Sequence, residues 1–129
     1  SESKGGFTNH NGPVYMSDTP GNLRSGLFVL DRHCNGMGFL HGGMASAFAD
    51  RAMAVAVWDA TKRFSVTLKL TLHYYETVRL HDWLEAHPVV RSVSDGVVQV
   101  EADLRIRGEK LAARADATFR SLRRTVKQG

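Results

Sequence analysis

The chain of 129 residues is long enough for one domain with a sizeable hydrophobic core. Its composition, 43% hydrophobic and 23% charged residues, is typical of a soluble globular protein. Asp50 and Arg51 interrupt the longest apolar stretch, so membrane insertion is not expected. The single cysteine, Cys34, excludes an internal disulfide and favours a reducing cytoplasm.

The net charge of +4 is concentrated near the C-terminus. Residues 103–129 contain eight Lys or Arg and three Asp or Glu, a net charge of +5, so the rest of the chain carries −1. Such a stretch fits a nucleic-acid surface, a solvated strand face with a loose tail, or a surface for a small phosphorylated ligand. No aromatic residues alternate with these charges and no recognition helix is evident, so nucleic acid is not the expected partner.

The N-terminal part of the chain predicts little regular structure. Residues 1–22 are rich in Gly, Asn, Ser and Pro, and lack the basic start and apolar block of a signal peptide. A first strand is expected for residues 23–32, and a loop with two glycines for residues 33–38. We expect the domain itself to span residues 23–122, followed by a basic tail, 123–129.

A long helix is predicted from about residue 42 to residue 60. From Met44 to Trp58 the sequence is almost wholly apolar and rich in alanine, which suits a helix buried on nearly every side. Asp50 is the one carboxylate in this run, and Ser46 is its only polar neighbour at helical spacing. Asp50 either caps a neighbouring group beside water or is a reactive group in a dry cleft, and the cost of burying a charge favours the second interpretation.

The helix begins with His41-Gly42-Gly43. Backbone N–H groups in the first helical turn lack partners, and glycine lets a ligand oxygen approach them closely. A carbonyl oxygen that becomes an oxyanion is one such ligand. Gly42 and Asp50 are eight residues apart, about 12 Å along one helix, so they cannot both contact one reacting atom. If the two cooperate, the site must combine two copies of the chain in a homodimer.

Four further strands are predicted after the helix. Residues 64–74 alternate, with Phe64, Val66, Leu68, Leu70, Leu72 and Tyr74 on one face and Ser65, Thr67, Lys69, Thr71 and His73 on the other. A strand over residues 83–94 ends in the turn signal Ser94-Asp95-Gly96, and alternation resumes from Val98 to Ile106. The last strand shows Ala113, Ala115, Ala117 and Phe119 on one face. A curved sheet, completed by a second subunit, could cover the helix.

The spacing of the motif residues resembles a known family. Asn35 is followed after five residues by His41-Gly42-Gly43, and after six more by Asp50. The chain resembles the hotdog-fold acyl-CoA thioesterases, and most of all the phenylacetyl-CoA (PaaI-type) branch of the 4-hydroxybenzoyl-CoA thioesterase superfamily. The resemblance extends from residues 12–14 to residues 111–115. It implies an α+β fold, a single hotdog domain in which a curved antiparallel sheet wraps one long helix.

The resemblance also implies an assembly and a reaction. In that family two subunits join their sheets edge to edge, and dimers commonly pair into tetramers. We therefore expect a homodimer with shared active sites, and a homotetramer. The implied reaction is hydrolysis of an acyl- or aryl-acyl-CoA thioester to a free acid and CoA, with no metal and no other cofactor.

Individual roles follow from the resemblance. Asp50 would activate or orient water, or act as nucleophile, and the Gly42 N–H would polarise the thioester carbonyl. The Asn35 side chain would assist Gly42, and His41 would shape the loop by hydrogen bonding. Thr67 stands where the family often has a hydroxyl near the acid, although strict alternation assigns it to the polar face of its strand.

Substrate contacts are expected at two places. Gly43, which follows the expected carbonyl donor, is a candidate for contact with the substrate. The CoA phosphates are expected on the basic C-terminal strands, where the candidates are Arg105, Arg107, Lys110 and Arg114.

Other interpretations are weaker. A non-catalytic acyl-CoA-binding domain would gain nothing from Asp50, and hotdog hydratases or dehydratases usually lack this His-Gly-Gly loop. His33, Cys34 and His41 match no familiar metal spacing, and Cys34 has no triad context that would make it a nucleophile. The chain also departs from the family pattern, with Thr77 in place of a frequent proline and His81 in place of a frequent glycine.

Overall fold

A computed structural model describes residues 10–17 and 23–122, so most of the predicted N-terminal segment and the whole basic tail lie outside the described residues. The described chain forms one long helix and one antiparallel sheet of six strands. Their bounds are β1 Tyr15–Ser17, β2 Arg24–Phe28, α1 Gly42–Thr61, β3 Ser65–Tyr74, β4 Trp83–Ser94, β5 Val97–Ile106 and β6 Lys110–Ser121. The strand order is β1-β2-β4-β5-β6-β3, which makes β1 and β3 the two edges.

The sheet wraps around α1, as expected. Met16 of β1 and Phe64 at the start of β3 line one groove on the helix, although these strands are at opposite edges of the sheet. The alanine face of β6 is buried, while Arg114, Asp116 and Arg120 on its other face are exposed. These small side chains let the helix lie close to the sheet. Within the described ranges, no helix combines the length and apolar character needed to cross a membrane.

The helix closely matches its predicted bounds but is less buried than expected. One stripe is buried against the sheet and consists of Ala45, Phe48, Ala49, Ala52, Met53, Ala56 and Val57. Asp50 and Arg51 are only half-buried, and Trp58 is exposed. The expectation of burial on nearly every side is therefore wrong for a single chain, because the curved sheet leaves the side of the helix with Asp50 and Arg51, and its C-terminal end, accessible.

Two expectations for the N-terminal part were wrong. Residues 15–17, expected to be irregular, form β1 and pair with β2 in antiparallel register. The first long strand ends at Phe28 rather than at residue 32, and Asp31–His33 forms a short 3-10 helix. The reason is local, since the His33 ring accepts a hydrogen bond from the Leu30 N–H. Such side-chain contacts compete with the hydrogen bonds of a strand.

The single apolar face predicted for residues 64–74 was also wrong. The register of β3 against β6 shifts between Thr67 and Lys69, which leaves Leu68 as the extra residue of a β-bulge. Thr67 lies opposite the buried Phe119, so it faces α1, whereas Val66 lies opposite the exposed Arg120. Beyond the bulge the predicted alternation holds, because Leu70, Leu72 and Tyr74 face buried alanines of β6.

His81, which stands where the resembled family often has glycine, adopts an unusual backbone conformation. His81 has φ 71°, in the left-handed region where glycine has no steric penalty. Its ring stacks on Phe28 with 5.9 Å between the centroids, and its N–H donates to the Val29 carbonyl. The glycine that the family often has here therefore suits the conformation of this turn.

We expect His81→Gly to be about 1 kcal/mol more stable to unfolding than His81→Ala. Both substitutions remove the contact with Phe28, so their difference isolates the left-handed backbone. Thermal and denaturant unfolding measure it. The matched pair is Thr77→Gly and Thr77→Ala, at an exposed residue without positive φ, where alanine should be the more stable. Equal stability of the two His81 variants would contradict the backbone argument.

Candidate functional site

The N-terminus of α1 has a free backbone donor. His41 is the N-cap, and its Nδ1 accepts a hydrogen bond of 2.9 Å from the Gly43 N–H. The Gly42 N–H has no acceptor within the helix and none elsewhere in the described residues. A Cβ at Gly43 would lie 3.1 Å from the His41 ring, tighter than an ordinary contact, so a larger residue here would push on the capping ring. The turn thus has the capped start and the free N–H that binding of an oxyanion needs.

Asn35 organises the loop in front of this turn. Its Oδ1 accepts the N–H groups of Met37 at 2.9 Å and Phe39 at 3.2 Å. The two backbone donors identify the accepting atom as the oxygen, so the side-chain NH₂ points away from the loop. Asn35 is exposed, and its NH₂ has no partner in the described part of the chain. It therefore remains available as a donor to a ligand.

Tyr74 holds the same turn from β3. Its hydroxyl donates a hydrogen bond of 3.0 Å to the Gly42 carbonyl. A Cβ at Gly42 would lie 3.3 Å from this hydroxyl, which is tighter than an ordinary contact. The end of β3 and the start of α1 are thus fixed against each other.

Asp50 lies two helical turns further along α1, against the other part of β3. Its Oδ1 accepts a short hydrogen bond of 2.6 Å from the Thr67 hydroxyl. The bulge at Leu68 turns Thr67 towards the helix and makes this contact possible. Thr67 thus orients the carboxylate, while the second oxygen of Asp50 has no partner in the described residues.

Each site residue predicted on the helix and its loop falls into one of two groups. Asn35, His41, Gly42 and Gly43 lie together at the start of α1, and Asp50 lies with Thr67 about 12 Å away along the axis. Within one chain, the structure does not bring the carboxylate to the free N–H.

His33 and Cys34, which were considered for a metal site or a nucleophile, have structural surroundings that fit neither role. His33 is buried; its Nδ1 accepts from the Leu30 N–H, and its Nε2 faces the carbonyls of Asn11 and Gly12. Burial raises the pKa of the Cys34 thiol, and Asp31 raises it further, which disfavours the reactive thiolate. Among the described residues, no three His, Cys, Asp or Glu side chains are grouped as metal ligands.

Three of the four predicted phosphate contacts are engaged with acids. Asp103 accepts hydrogen bonds from Arg114 and Arg105, both at 2.9 Å. Partial burial raises the pKa of Asp103, but these two arginines outweigh it and hold the pKa below its usual value. Lys110 lies 2.8 Å from Glu76 and lowers the pKa of that carboxyl.

Arg107 is the remaining candidate. It lies in the turn between β5 and β6, is exposed, and makes no ion pair with any described residue. The Lys110–Glu76 pair connects this turn to the end of β3, where Tyr74 contacts Gly42. Arg107 is therefore the predicted cation with a free charge at the end of the sheet nearest the start of α1.

An apolar groove lies along α1 on the C-terminal side of Asp50. Its volume is about 310 Å³, and its lining includes Ala54, Val55, Trp58, Phe64 and Ser65. The rings of Trp58 and Phe64 stack at 5.1 Å. Arg51 also lines the groove, and its buried Nε has no hydrogen-bond partner in the described residues.

Comparison with known proteins identifies the family. Residues 37–113 match the thioesterase superfamily. The chain belongs to this superfamily. Its six-stranded sheet around one long helix is the hotdog fold, as the sequence resemblance implied.

Individual relatives agree with this assignment. The "Putative esterase PA0474" of Pseudomonas aeruginosa is 32% identical over 111 residues, which cover 84% of this chain and 82% of that protein. A mutant of the phenylacetic acid degradation protein PaaI from Thermus thermophilus is 25% identical, with a TM-score of 0.79 over 90% of this chain and 98% of that one. A Streptococcus mutans protein solved with acetyl CoA bound is 20% identical and shares the fold, with a TM-score of 0.80 over 88% of this chain and 91% of that one.

The structure adds two groups that sequence reasoning did not single out. Tyr74 was assigned only to an apolar face, and its position at the end of an alternating strand gave no signal of a contact with Gly42. Arg79 lies over the Phe39 ring at 5.5 Å, beside the Asn35 loop. Its place could not be found from the sequence because the Phe39–Arg79 bridge joins residues forty positions apart.

Proposed function

We propose that the protein is an acyl-CoA thioesterase that hydrolyses an acyl- or aryl-acyl-CoA to a free acid and CoA. The carboxylate of Asp50, held by Thr67 in an alanine-rich helix, carries the proposal. Membership of the thioesterase superfamily supports the general reaction, and the acetyl CoA bound to the Streptococcus mutans relative supports a CoA ester as substrate.

In the proposed mechanism, one group of residues stabilises the oxyanion and the other activates water or attacks the carbonyl. The thioester oxygen accepts hydrogen bonds from the Gly42 N–H and the Asn35 NH₂, which stabilise the oxyanion as it forms. Asp50 either removes a proton from water as it attacks the carbonyl carbon, or attacks the carbon itself to form an anhydride that water then cleaves. In both routes the C–S bond breaks and the sulfur leaves with a proton, which comes from the protonated Asp50 in the first route and from water in the second.

The proposed active unit is a homodimer, because neither group is complete alone. β3 is an edge strand of ten residues, and Val66 and Leu68 on it are 47% and 55% exposed. A long apolar edge strand tends to pair with another chain. Pairing two copies at β3 brings the start of one helix towards Asp50 of the other. Assembly of dimers into tetramers and a cytoplasmic location remain predictions.

The proposed substrate class is a CoA ester with an apolar acyl or aryl group. The groove that includes Trp58 and Phe64 supports an aromatic or short apolar group, and the relationship to a phenylacetic acid degradation protein supports the PaaI-type branch. We propose that Arg107 contacts a CoA phosphate, since its charge is not engaged by an acid of the described chain.

Asp50→Asn is expected to lower kcat by at least about 100-fold, because it removes the group that activates water or forms the anhydride. The protein should still fold, since the amide has the same shape and can accept the Thr67 hydrogen bond. Release of free thiol from a panel of acyl-CoA esters measures the effect. Asp59→Asn is the matched control, since Asp59 is exposed on the same helix and pairs with Lys62. Wild-type turnover in Asp50→Asn would refute the assigned chemistry.

Arg107→Ala is expected to raise KM for an acyl-CoA about tenfold, the effect of losing one charged phosphate contact. KM for the N-acetylcysteamine thioester of the same acyl group should not change, because that substrate has no nucleotide. The increase should also shrink at high salt, which screens exposed charges.

Arg120→Ala is the control for this experiment. Arg120 is exposed at the opposite end of the β5–β6 hairpin, where it pairs in register with Val97. The Arg120→Ala variant should keep the wild-type KM for the acyl-CoA. If Arg107→Ala raises KM equally for both substrates, or for neither, Arg107 does not contact the CoA phosphates.

A further inference from the structure

We propose that the apolar groove along α1 selects acyl groups that carry a second carboxylate, and that Arg51 is the residue that recognises it. The substrate would then be a CoA ester of a dicarboxylic acid whose body is apolar. The inference rests on the proposed function, because it assumes that the thioester carbonyl is held at Asp50.

Arg51 is a half-buried cation that the described chain does not pair. Its guanidinium makes no hydrogen bond and no ion pair with any residue that the structure describes, and its Nε is shielded from water. Leaving a buried donor unpaired and moving a cation out of water both cost free energy. The contacts within the described chain therefore do not account for this side chain, whereas an anionic ligand would.

The other polar side chains that line the groove are also hydrogen-bond donors. Arg63 is a second cation in the lining, and its Nη1 donates to the Leu122 carbonyl. Ser65 adds a hydroxyl on the face of β3 that Thr67 shares, towards α1. None of the described residues that line the groove is Asp or Glu. Two guanidinium groups and a hydroxyl beside apolar walls attract an anion.

The position of Arg51 favours a carboxylate of the acyl group over a phosphate of CoA. Arg51 follows Asp50 directly on α1, and the groove extends from there to Trp58, about 12 Å beyond Asp50 along the axis. The acyl group begins at the thioester carbonyl, whereas the whole pantetheine arm separates the phosphates from the sulfur. The group that starts at Asp50 and enters this groove is therefore the acyl group.

The apolar walls define the body of that acyl group. Ala54, Val55 and the stacked rings of Trp58 and Phe64 form these walls. The volume of about 310 Å³ is at the lower end of the range for ligand sites, which suits one ring or a short chain.

Arg51 also offsets a repulsion that such a substrate would otherwise meet. Two carboxylates, one on the substrate and one on Asp50, repel each other, and the repulsion is stronger beside apolar walls than in water. A guanidinium next to Asp50 opposes it, and its planar donors match the two oxygens of a carboxylate.

Matched pairs of esters test this specificity. They are 4-carboxyphenylacetyl-CoA with 4-methylphenylacetyl-CoA, and adipoyl-CoA with hexanoyl-CoA. In at least one pair, the wild-type kcat/KM should be at least about tenfold higher for the ester with the carboxylate, as expected for a charged hydrogen bond. Arg51→Met should abolish this preference, and Arg51→Lys should keep part of it, since it retains the charge without the planar donors.

Two controls separate recognition from a structural role. Arg91→Met removes an exposed arginine of β4 that donates to Glu101, and it should leave the preference unchanged. Arg51→Met should unfold at the wild-type temperature or above it, because it removes an unpaired, half-buried charge.

N-acetylcysteamine thioesters of the same acyl groups distinguish the two sources of an anion. They lack the nucleotide, so the preference that depends on Arg51 should persist with them. If Arg51→Met instead impairs all CoA esters equally and no N-acetylcysteamine thioester, Arg51 binds a CoA phosphate and the proposal is wrong. The proposal is also wrong if the wild-type protein prefers neither carboxylate, or if Arg51→Met changes only the oligomeric state, which would assign Arg51 to a subunit contact.

Binding measured without turnover separates this inference from the proposed reaction. In Asp50→Asn protein, calorimetry should give a Kd at least about tenfold lower for the preferred carboxylate ester than for its matched partner. The added substitution Arg51→Met should remove that difference. If the wild-type protein hydrolyses none of the esters but the difference in Kd depends on Arg51, only the proposed reaction is contradicted. Equal Kd values within both pairs would contradict the recognition of a carboxylate by Arg51.

Discussion

The rigidity of α1 is the constraint on which the rest of this structure depends. A helix holds its residues at a fixed rise, so the free N–H at Gly42 and the carboxylate at Asp50 stay about 12 Å apart whatever the loops do. Side-chain rotation cannot close that distance, and the helix cannot bend sharply where its alanine stripe is packed on the sheet. The two groups can act on the same carbonyl group only if a second helix supplies one of them.

The edge strand β3 connects the two groups of residues within one chain. It touches both halves of the proposed site through side chains that face α1, Thr67 at one end and Tyr74 at the other. The same strand therefore orients the Asp50 carboxylate, contacts the turn at the start of α1 and, in the proposed homodimer, pairs with a second copy of the chain. The exposed Val66 and Leu68 are then consistent with an interface rather than with a solvated edge.

Much of the fold could be predicted from local patterns. The long apolar run predicted the C-terminal end of α1 to within one residue, and the turn signal after Ser94 predicted the end of β4. The turn at Asp95 and Gly96 could be predicted because an Asp-Gly pair favours positive φ, and both residues adopt it. These features depend on periodicity and on residue-specific backbone preferences, and both are determined by residues that are close together in the sequence.

Features that depend on tertiary contacts could not be predicted. Nothing in residues 64–74 signals a bulge, because Leu68 continues the apolar alternation that the bulge interrupts. The sequence consequently assigned Thr67 to the polar face, while the family resemblance associated it with the acid, and the structure has it bonded to Asp50. The strand β1 was missed because three residues are too few to show a period. The hydrogen bonds from Arg105 and Arg114 to Asp103 could not be predicted either, since the contact with Arg114 depends on the register of β5 against β6.

The composite site is tested most directly by mixing two inactive variants. Asp50→Asn removes the carboxylate, and Asn35→Asp removes the donor NH₂ while leaving an oxygen for the N–H groups of Met37 and Phe39. After subunit exchange, a mixed dimer has one site damaged twice and one intact. Because about half of the dimers are mixed, activity should return to roughly a quarter of the wild-type sites. If mass spectrometry confirms exchange and no activity returns, the carboxylate and the donor do not come from different subunits.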